Sequence, residues 1–279
     1  MSEYCPLRFA VRIVTAVFFS LASLNAWGQF EPSPLSARSY AMGGASVALP
    51  DFAGSNVNPA ILGWVHKYSV AIDYRQLLAL KGMSYKSVSA AVPTATVGAA
   101  ALHYTHFGDR AYNEQSLSIH YGLMLGKRVS IGAAVYYLHS GTDDGHYDGF
   151  NSATGSIGLQ YRPTERLLFG AAVYNPFFVK RDVSFRVPVQ MNVGAAYFAL
   201  KNFLIVLELE KNIYDPLRLR LGAEYRLVER LKLQAGFATS PILYSIGVGY
   251  SHSGLDANVS VSVHQHAGIT PGVTIGYSF

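Results

Sequence analysis

Leu217-Arg218-Leu219-Arg220-Leu221-Gly222-Ala223-Glu224-Tyr225-Arg226-Leu227 is the stretch from which the fold can be read. Leu217, Leu219, Leu221, Ala223, Tyr225 and Leu227 share one side of an extended chain, and Arg218, Arg220, Gly222, Glu224 and Arg226 share the other. Unbroken period-two alternation of this kind predicts a strand with one apolar and one charged face. In a soluble sandwich the apolar face would be the core. In a membrane barrel it would meet lipid, and the charged face would line the lumen. This strand alone fits both.

The end of the chain separates them. Val273, Ile275, Tyr277 and Phe279 alternate with Thr274, Gly276 and Ser278, and the chain finishes on the aromatic ring. A closing strand of this form resembles the signal read by the barrel-assembly machinery of outer membranes. The same alternation runs back to Tyr68. It gives strands near 68–75, 84–92, 96–105, 116–125, 129–139, 154–162, 167–174, 190–199, 203–210, 217–227, 231–237, 242–251, 255–263 and 272–279. That is about fourteen, an even number as bacterial barrels have. The links alternate too. Short ones fall at 93–95, 126–128, 163–166, 200–202, 228–230 and 252–254, and longer ones at 76–83, 106–115, 140–153, 175–189, 211–216 and 264–271. Ala238 to Pro241 breaks the rule by being short where a long link is due. Short periplasmic turns alternating with longer outer loops define a transmembrane antiparallel β-barrel, and a sandwich has no reason to sort its links this way.

Composition agrees. Half of the residues are hydrophobic and only 14% are charged, against roughly 25% in soluble domains. Yet beyond residue 28 no apolar run approaches the ~20 residues that a membrane-spanning helix needs. The formal charge of +5 is spread along the chain without a dense basic cluster, so nucleic acid is not an expected partner. Arg8 and Arg12, the apolar stretch Ile13 to Leu21 and the small residues of Ala26-Trp27-Gly28 read as a secretory signal peptide over 1–28. The mature chain would begin at Gln29. The one cysteine, Cys5, lies in the removed piece, so disulfide and thiol chemistry are not expected. This organisation places a signal peptide at 1–28, a plug segment at 29–67 and the barrel at 68–279, in the outer membrane of a Gram-negative cell.

Residues 36–64 do not alternate. They are rich in small residues, with Gly and Pro marking turns, as expected of compact irregular backbone buried inside a barrel. Ala37-Arg38-Ser39-Tyr40-Ala41-Met42-Gly43-Gly44-Ala45-Ser46-Val47-Ala48-Leu49, followed by Asn58-Pro59-Ala60-Ile61-Leu62-Gly63-Trp64, resembles the N-terminal signature of the FadL-like and PorV/PorQ-like outer-membrane families. Their pattern is G-A-R-x-x-x-M-G-G-A-x-x-A-x-x-D, then W/Y-N-P-A-x-L. The likeness covers about thirty residues, with Val57 standing where the pattern has an aromatic. It implies that this segment, Met42, Gly43 and Gly44 included, is a hatch in the barrel, with Asn58, Pro59 and Ala60 at its turn.

Glu208 and Glu210 share the polar face of their strand. A hairpin about Tyr214 would set Glu210 beside Arg218 and Glu208 beside Arg220. With Glu224 and Arg226 these form an expected lumenal charge ladder, read either as structural pairs or as a polar constriction. His264 and His266 lack a third metal ligand, and Asp143, Asp144 and Asp148 lack the spacing of a calcium loop. Ser118, His120, Ser262 and His264 invite comparison with barrel-wall hydrolases, but no acid stands at a matching spacing. No enzyme, metal or cofactor is expected. Two functions remain. One is FadL-like transport of a hydrophobic or amphipathic small molecule. The other is a PorV/PorQ-like scaffold for type IX secretion or surface attachment. The expected partners are outer-membrane lipid, the assembly machinery, and a hydrophobic ligand or a secreted protein.

Overall fold

Along every strand, one set of alternate side chains is exposed and the other buried, and the exposed set is the apolar one. Ile72, Val88, Ile119, Val135, Ile157, Val193 and Ile246 face outward, while Ser87, Ser89, Ser118, Gln160, Asn192, Glu208 and Thr274 are buried. Such a surface is stable only against hydrocarbon. There every backbone polar group must be bonded within the protein, because no water is present to accept it. The computed structural model describes residues 30–94, 98–142, 149–177, 187–265 and 267–279. The expected signal peptide with Cys5, Gln29 at the expected mature start, the Asp143-Asp144-Asp148 cluster and His266 lie outside the described residues.

Among the described residues fourteen strands form one closed antiparallel barrel, each bonded to its neighbours in sequence. They are β1 (Ser69–Gln76), β2 (Ser84–Thr94), β3 (Gly98–Gly108), β4 (Tyr112–Leu125), β5 (Val129–Thr142), β6 (Phe150–Thr164) and β7 (Leu167–Tyr174). β8 (Gln190–Leu200), β9 (Phe203–Asn212), β10 (Arg218–Val228), β11 (Leu231–Ala238), β12 (Leu243–His252), β13 (Leu255–His264) and β14 (Gly268–Ser278) complete the circuit. The seam is β1 on β14, in register from Ser69↔Ser278 to Arg75↔Gly272. The Phe279 amide donates to the Tyr68 carbonyl at 2.9 Å, and the two rings stack with centroids 5.8 Å apart. Val273, Ile275 and Tyr277 point outward.

Two rings of exposed aromatics mark the edges of the apolar band. Tyr68, Tyr121, Tyr161, Phe169, Tyr197, Tyr225, Tyr250 and Tyr277 lie near the end that holds the barrel termini, and Tyr74, Tyr104, Tyr137, Tyr214 and Tyr244 near the other. Amphipathic rings settle at membrane–water interfaces, so the girdles fix the depth of the barrel in the bilayer. The links on the terminal side are uniformly short, which makes that side periplasmic.

Link lengths on the outer side differ from expectation most at three places, one of them the β5–β6 link, which is 143–149 rather than 140–153. The β3–β4 link is only 109–111 rather than 106–115, and the β13–β14 link is 265–267 rather than 264–271. β4 and β6 also start four residues before the expected 116 and 154. The strands continue above the hydrocarbon, where outward positions become polar, as at His106, Gln115 and Asn151. The backbone ladder persists there after the hydropathy signal has ended.

Inside the barrel, residues 30–65 form a folded segment. Its Met42, Ala45, Val47 and Leu49 pack on Leu168, Ala172, Ala196, Leu204 and Val206 of β7, β8 and β9. A second cluster places Leu62 against Ala91, Ala99 and Ala101 of β2 and β3. The apolar core therefore sits between segment and wall. Introducing a charge on the lipid face, as in Ile246→Arg, is expected to lower unfolding stability in lipid vesicles by about 2–4 kcal/mol, measured by urea titration. An equal stability for the variant and the parent would contradict the assignment of that face.

Candidate functional site

The inner segment is built from three short helical pieces, each started by a side-chain cap. Ser36 caps α1 (Ala37–Ala41) by accepting from the Ser39 amide. Asp51 caps a 3₁₀ turn over Phe52–Asn56, and Asn58 caps another over Pro59–Trp64. In that last piece Asn58 is extended (φ −130°, ψ 98°) and accepts from the Ala60 amide, with Pro59 in the first helical position. Pro is tolerated there because its missing N–H would have had no helical partner. Met42 ends α1, and the chain then turns through Gly43 and Gly44 with φ of +72° and +81°, a conformation costly for any other residue.

Close approach of this backbone to the wall depends on glycines within the strands. Neighbouring wall positions Gly122↔Gly132↔Gly158 face Pro59, Ala60 and Asn58, and the pair Gly222↔Gly236 faces Met42 and Gly43. A Cβ at these positions would fall on segment backbone or on Met42 and Asn58 side-chain atoms. Gly170 faces the Val47 carbonyl and Gly247 faces Ala41. Apart from Gly247, which alternation places in the lumen, these wall glycines were not singled out from the sequence. Their signal is a Gly at an inward-facing position in consecutive strands, which periodicity counts as merely non-apolar.

Polar groups of the wall complete the fit. Glu208 accepts from the Ser46 and Val47 amides at 2.6 and 2.8 Å, and its other oxygen accepts from Asn192. Glu210 pairs with both Arg218 (2.9 Å) and Arg220 (2.6 Å). Arg220 also donates to the Gly44 carbonyl at 2.6 Å. Glu224 holds Arg38 of α1 through two bonds of 2.7 Å, the bidentate geometry that makes such pairs strong. Asn58 donates to the Val47 carbonyl, Tyr136 to that of Asn56, and Ser130 to that of Ala60.

The backbone register does set Glu210 opposite Arg218 and Glu208 opposite Arg220. The side chains nonetheless depart from a simple ladder. Arg220 turns to Glu210 and the segment, which frees Glu208 for the segment's own amides. Arg226 lies exposed at the periplasmic rim, apart from the buried set. These charges have a second partner, the inner segment, which no cross-strand pairing rule includes. Gly247 and Gly249, which alternation places in the lumen, face Ala41 and the Asn258–Gln234 pair rather than open space.

Ser118 and His120 do meet, Oγ to Nε2 at 2.8 Å, but the His120 Nδ1 that a catalytic acid would orient has no partner. Ser262 and His264 belong to β13, separated from β4 by four intervening strands. His103 bonds Ser55 of the segment and Ser89 of β2, each at 2.8 Å, so it too serves the fit of segment to wall.

Below the segment, on the periplasmic side, lies a cavity of about 540 Å³. Phe52, Trp64 and Val65 of the segment and Ala71 of the wall contribute apolar surface, and Arg38, Asp51 and Lys232 contribute charge. Above it, the buried Arg75 guanidinium lies 3.6 Å from the Tyr40 ring of α1 and 4.8 Å from that of Tyr85, and its Nε and Nη1 have no hydrogen-bond partner.

A closed lipid-facing barrel whose lumen is occupied by its own N-terminal segment defines a class of outer-membrane protein. No protein-family description and no curated protein matches the sequence. Solved structures do match the fold. The Pseudomonas putida toluene transporter TodX superposes with a TM-score of 0.66 at 13% identity, over 89% of this chain and 99% of TodX. The monoaromatic hydrocarbon channel CymD gives 0.62 at 15% identity, over 92% and 99%. A Pseudomonas aeruginosa FadL homologue gives 0.64 at 12%, over 90% and 98%. The chain has the FadL-type outer-membrane barrel fold.

Two outcomes follow from the geometry. Glu208→Ala leaves the Ser46 and Val47 amides and Asn192 without their acceptor, at about 1–3 kcal/mol for each buried group left unpaired. It should therefore release residues 36–64 to limited proteolysis, whereas Arg226→Ala should not. Equal protease resistance of the two variants would refute the anchoring role. The second concerns Glu31, which accepts from Asn212 at 2.7 Å at the outer mouth. Burial, with the Glu210 carboxylate adding to it, pushes Glu31 up to about 7 from 4.5. A raised carboxyl value means that the folded state favours the protonated form. Its stabilisation is full below about 4.5 and is lost as pH rises through about 7. Hydrogen exchange of the residues around Glu31 should quicken over that window, and Glu31→Gln should abolish the dependence.

Proposed function

We propose that this chain is a FadL-type channel that passes a hydrophobic or amphipathic small molecule across the outer membrane. The observation that carries this reading is the combination of a closed barrel with an inner segment that packs on the wall through apolar side chains and is tied to it by polar contacts around its edge. A covalent or purely apolar plug could not be shifted without large cost. A segment held through Arg38, Glu208, Arg220 and Asn58 can exchange those bonds for water or ligand as it moves. The partly apolar cavity at the periplasmic mouth supports an apolar cargo. The unpartnered nitrogens of Arg75 support one with a polar end. TodX, a toluene transporter, and CymD, a monoaromatic hydrocarbon channel, supply the first compounds to try.

The reading also assigns export through the N-terminal signal peptide, insertion by the barrel-assembly machinery through Phe279 and its strand, and a non-enzymatic role. The secretion-scaffold alternative gains no support from the structural neighbours. The test is uptake by a Gram-negative host that lacks comparable channels, comparing labelled toluene with labelled sucrose. Faster toluene entry with unchanged sucrose entry is expected on expression. Toluene entry equal to that of cells with empty vector, while the barrel is present in the outer membrane, would exclude the transport reading.

A further inference from the structure

On the lipid-facing side of the barrel, just above the outer tyrosine girdle, the wall changes character. Tyr74, Lys86, His106 and Gln115 are consecutive neighbours across β1 to β4. They share the outward face with Ile72, Val88, Tyr104 and Leu117, one pleat repeat nearer the hydrocarbon. The links 77–83 and 109–111 rise above this row, and together they enclose a groove of about 530 Å³ that includes Lys81, Gly82 and Arg110. Lys81, Lys86 and Arg110 thus converge on a single outward-opening groove at headgroup depth.

These cations are not held in ion pairs. None of the ion pairs among the described residues involves Lys81, Lys86 or Arg110. The one carboxylate in the groove, Asp109, is committed elsewhere. Its Oδ1 accepts from the Ala111 amide at 2.9 Å and from the Tyr112 amide at 3.4 Å, and Oδ2 lies against Gly82 of the neighbouring link. It braces the two links and leaves the groove with an excess of positive charge. The Nδ1 of His106, shielded from solvent, has no hydrogen-bond partner. Three unpaired cations against one carboxylate, around an unmet polar atom and beside rings that mark the interface, fit an anion carried by a lipid.

We propose that this groove binds the phosphate groups of an anionic glycolipid of the outer leaflet, with its acyl chains lying along Ile72, Val88, Tyr104 and Leu117. Charge selects the ligand, and depth selects its source. The groove opens sideways at the membrane surface rather than into the lumen, so the site is independent of transport and stands whether or not the channel reading holds.

The test is native mass spectrometry of the full barrel in detergent, titrated with bis-phosphorylated lipid A, with lipid A stripped of its phosphates, and with phosphatidylethanolamine. One tightly bound bis-phosphorylated lipid per barrel is expected, with weaker binding of the other two. Each Lys or Arg near a membrane surface is worth about a fivefold change in affinity, so K81Q/K86Q/R110Q should weaken binding about 100-fold. K201Q, in the periplasmic β8–β9 turn, should bind as the parent does. Heat-modifiable gel mobility confirms that each variant is folded. Undiminished binding by the triple variant would overturn the proposal, as would equal affinity for the dephosphorylated lipid. Displacement of the lipid by millimolar inorganic phosphate would do so as well, by marking a free-phosphate site.

Discussion

Everything in this molecule depends on the hydrogen bonds between β1 and β14. In hydrocarbon an open sheet edge would leave a row of unpaired amides and carbonyls, each costing several kcal/mol. Closing the ladder from Ser69↔Ser278 to Arg75↔Gly272 removes that cost at a stroke. It also encloses a lumen wide enough that side chains alone need not fill it. The terminal Phe279 sits on this seam, its amide bonded to Tyr68 and its ring stacked on the Tyr68 ring.

The lumen in turn dictates the inner segment. Irregular backbone buried there carries its own amides and carbonyls, which the wall must satisfy one by one. Glu208 takes two amides, Arg220 takes the Gly44 carbonyl, and Ser130 and Tyr136 take those of Ala60 and Asn56. Short contacts of this kind require the backbones to come close, and the inward-facing glycines of the wall provide the room. Small residues and buried charges thus act as one device. Without the glycines the segment could not come close enough for Glu208 to reach its amides, and without Glu208 the Ser46 and Val47 amides would be buried unpaired.

The two ends of the barrel are consequently different in kind. At the periplasmic end the segment leaves a cavity bordered by Arg38, Lys232 and Asp256. At the outer end Phe30 packs with Tyr136, Leu138, Tyr174 and Val187, and its amide bonds Glu114. Outside the wall, polarity is sorted by depth, with apolar side chains in the middle, tyrosines at both edges and cations above the outer edge.

The sequence by itself determined the barrel. Alternation is a local property, since the pleat sends successive side chains to opposite faces whatever lies beyond them. Fourteen strands, their outward faces and the closing Phe279 could therefore be read without any tertiary information. So could the Glu210–Arg218 register, which follows from a single hairpin. Strand ends at His106 and Asn151 could not, because backbone pairing outlasts hydropathy once the wall leaves the lipid. The Met42-Gly43-Gly44 and Asn58-Pro59-Ala60 signatures marked a buried segment but not its seat. Only the tertiary structure decided that Glu224 meets Arg38, separated by 186 residues in the chain, that Glu208 serves Ser46 and Val47, and that Arg226 stays at the rim. Those choices depend on which strand faces which turn of the segment once the circle is closed, and no local pattern carries that distance.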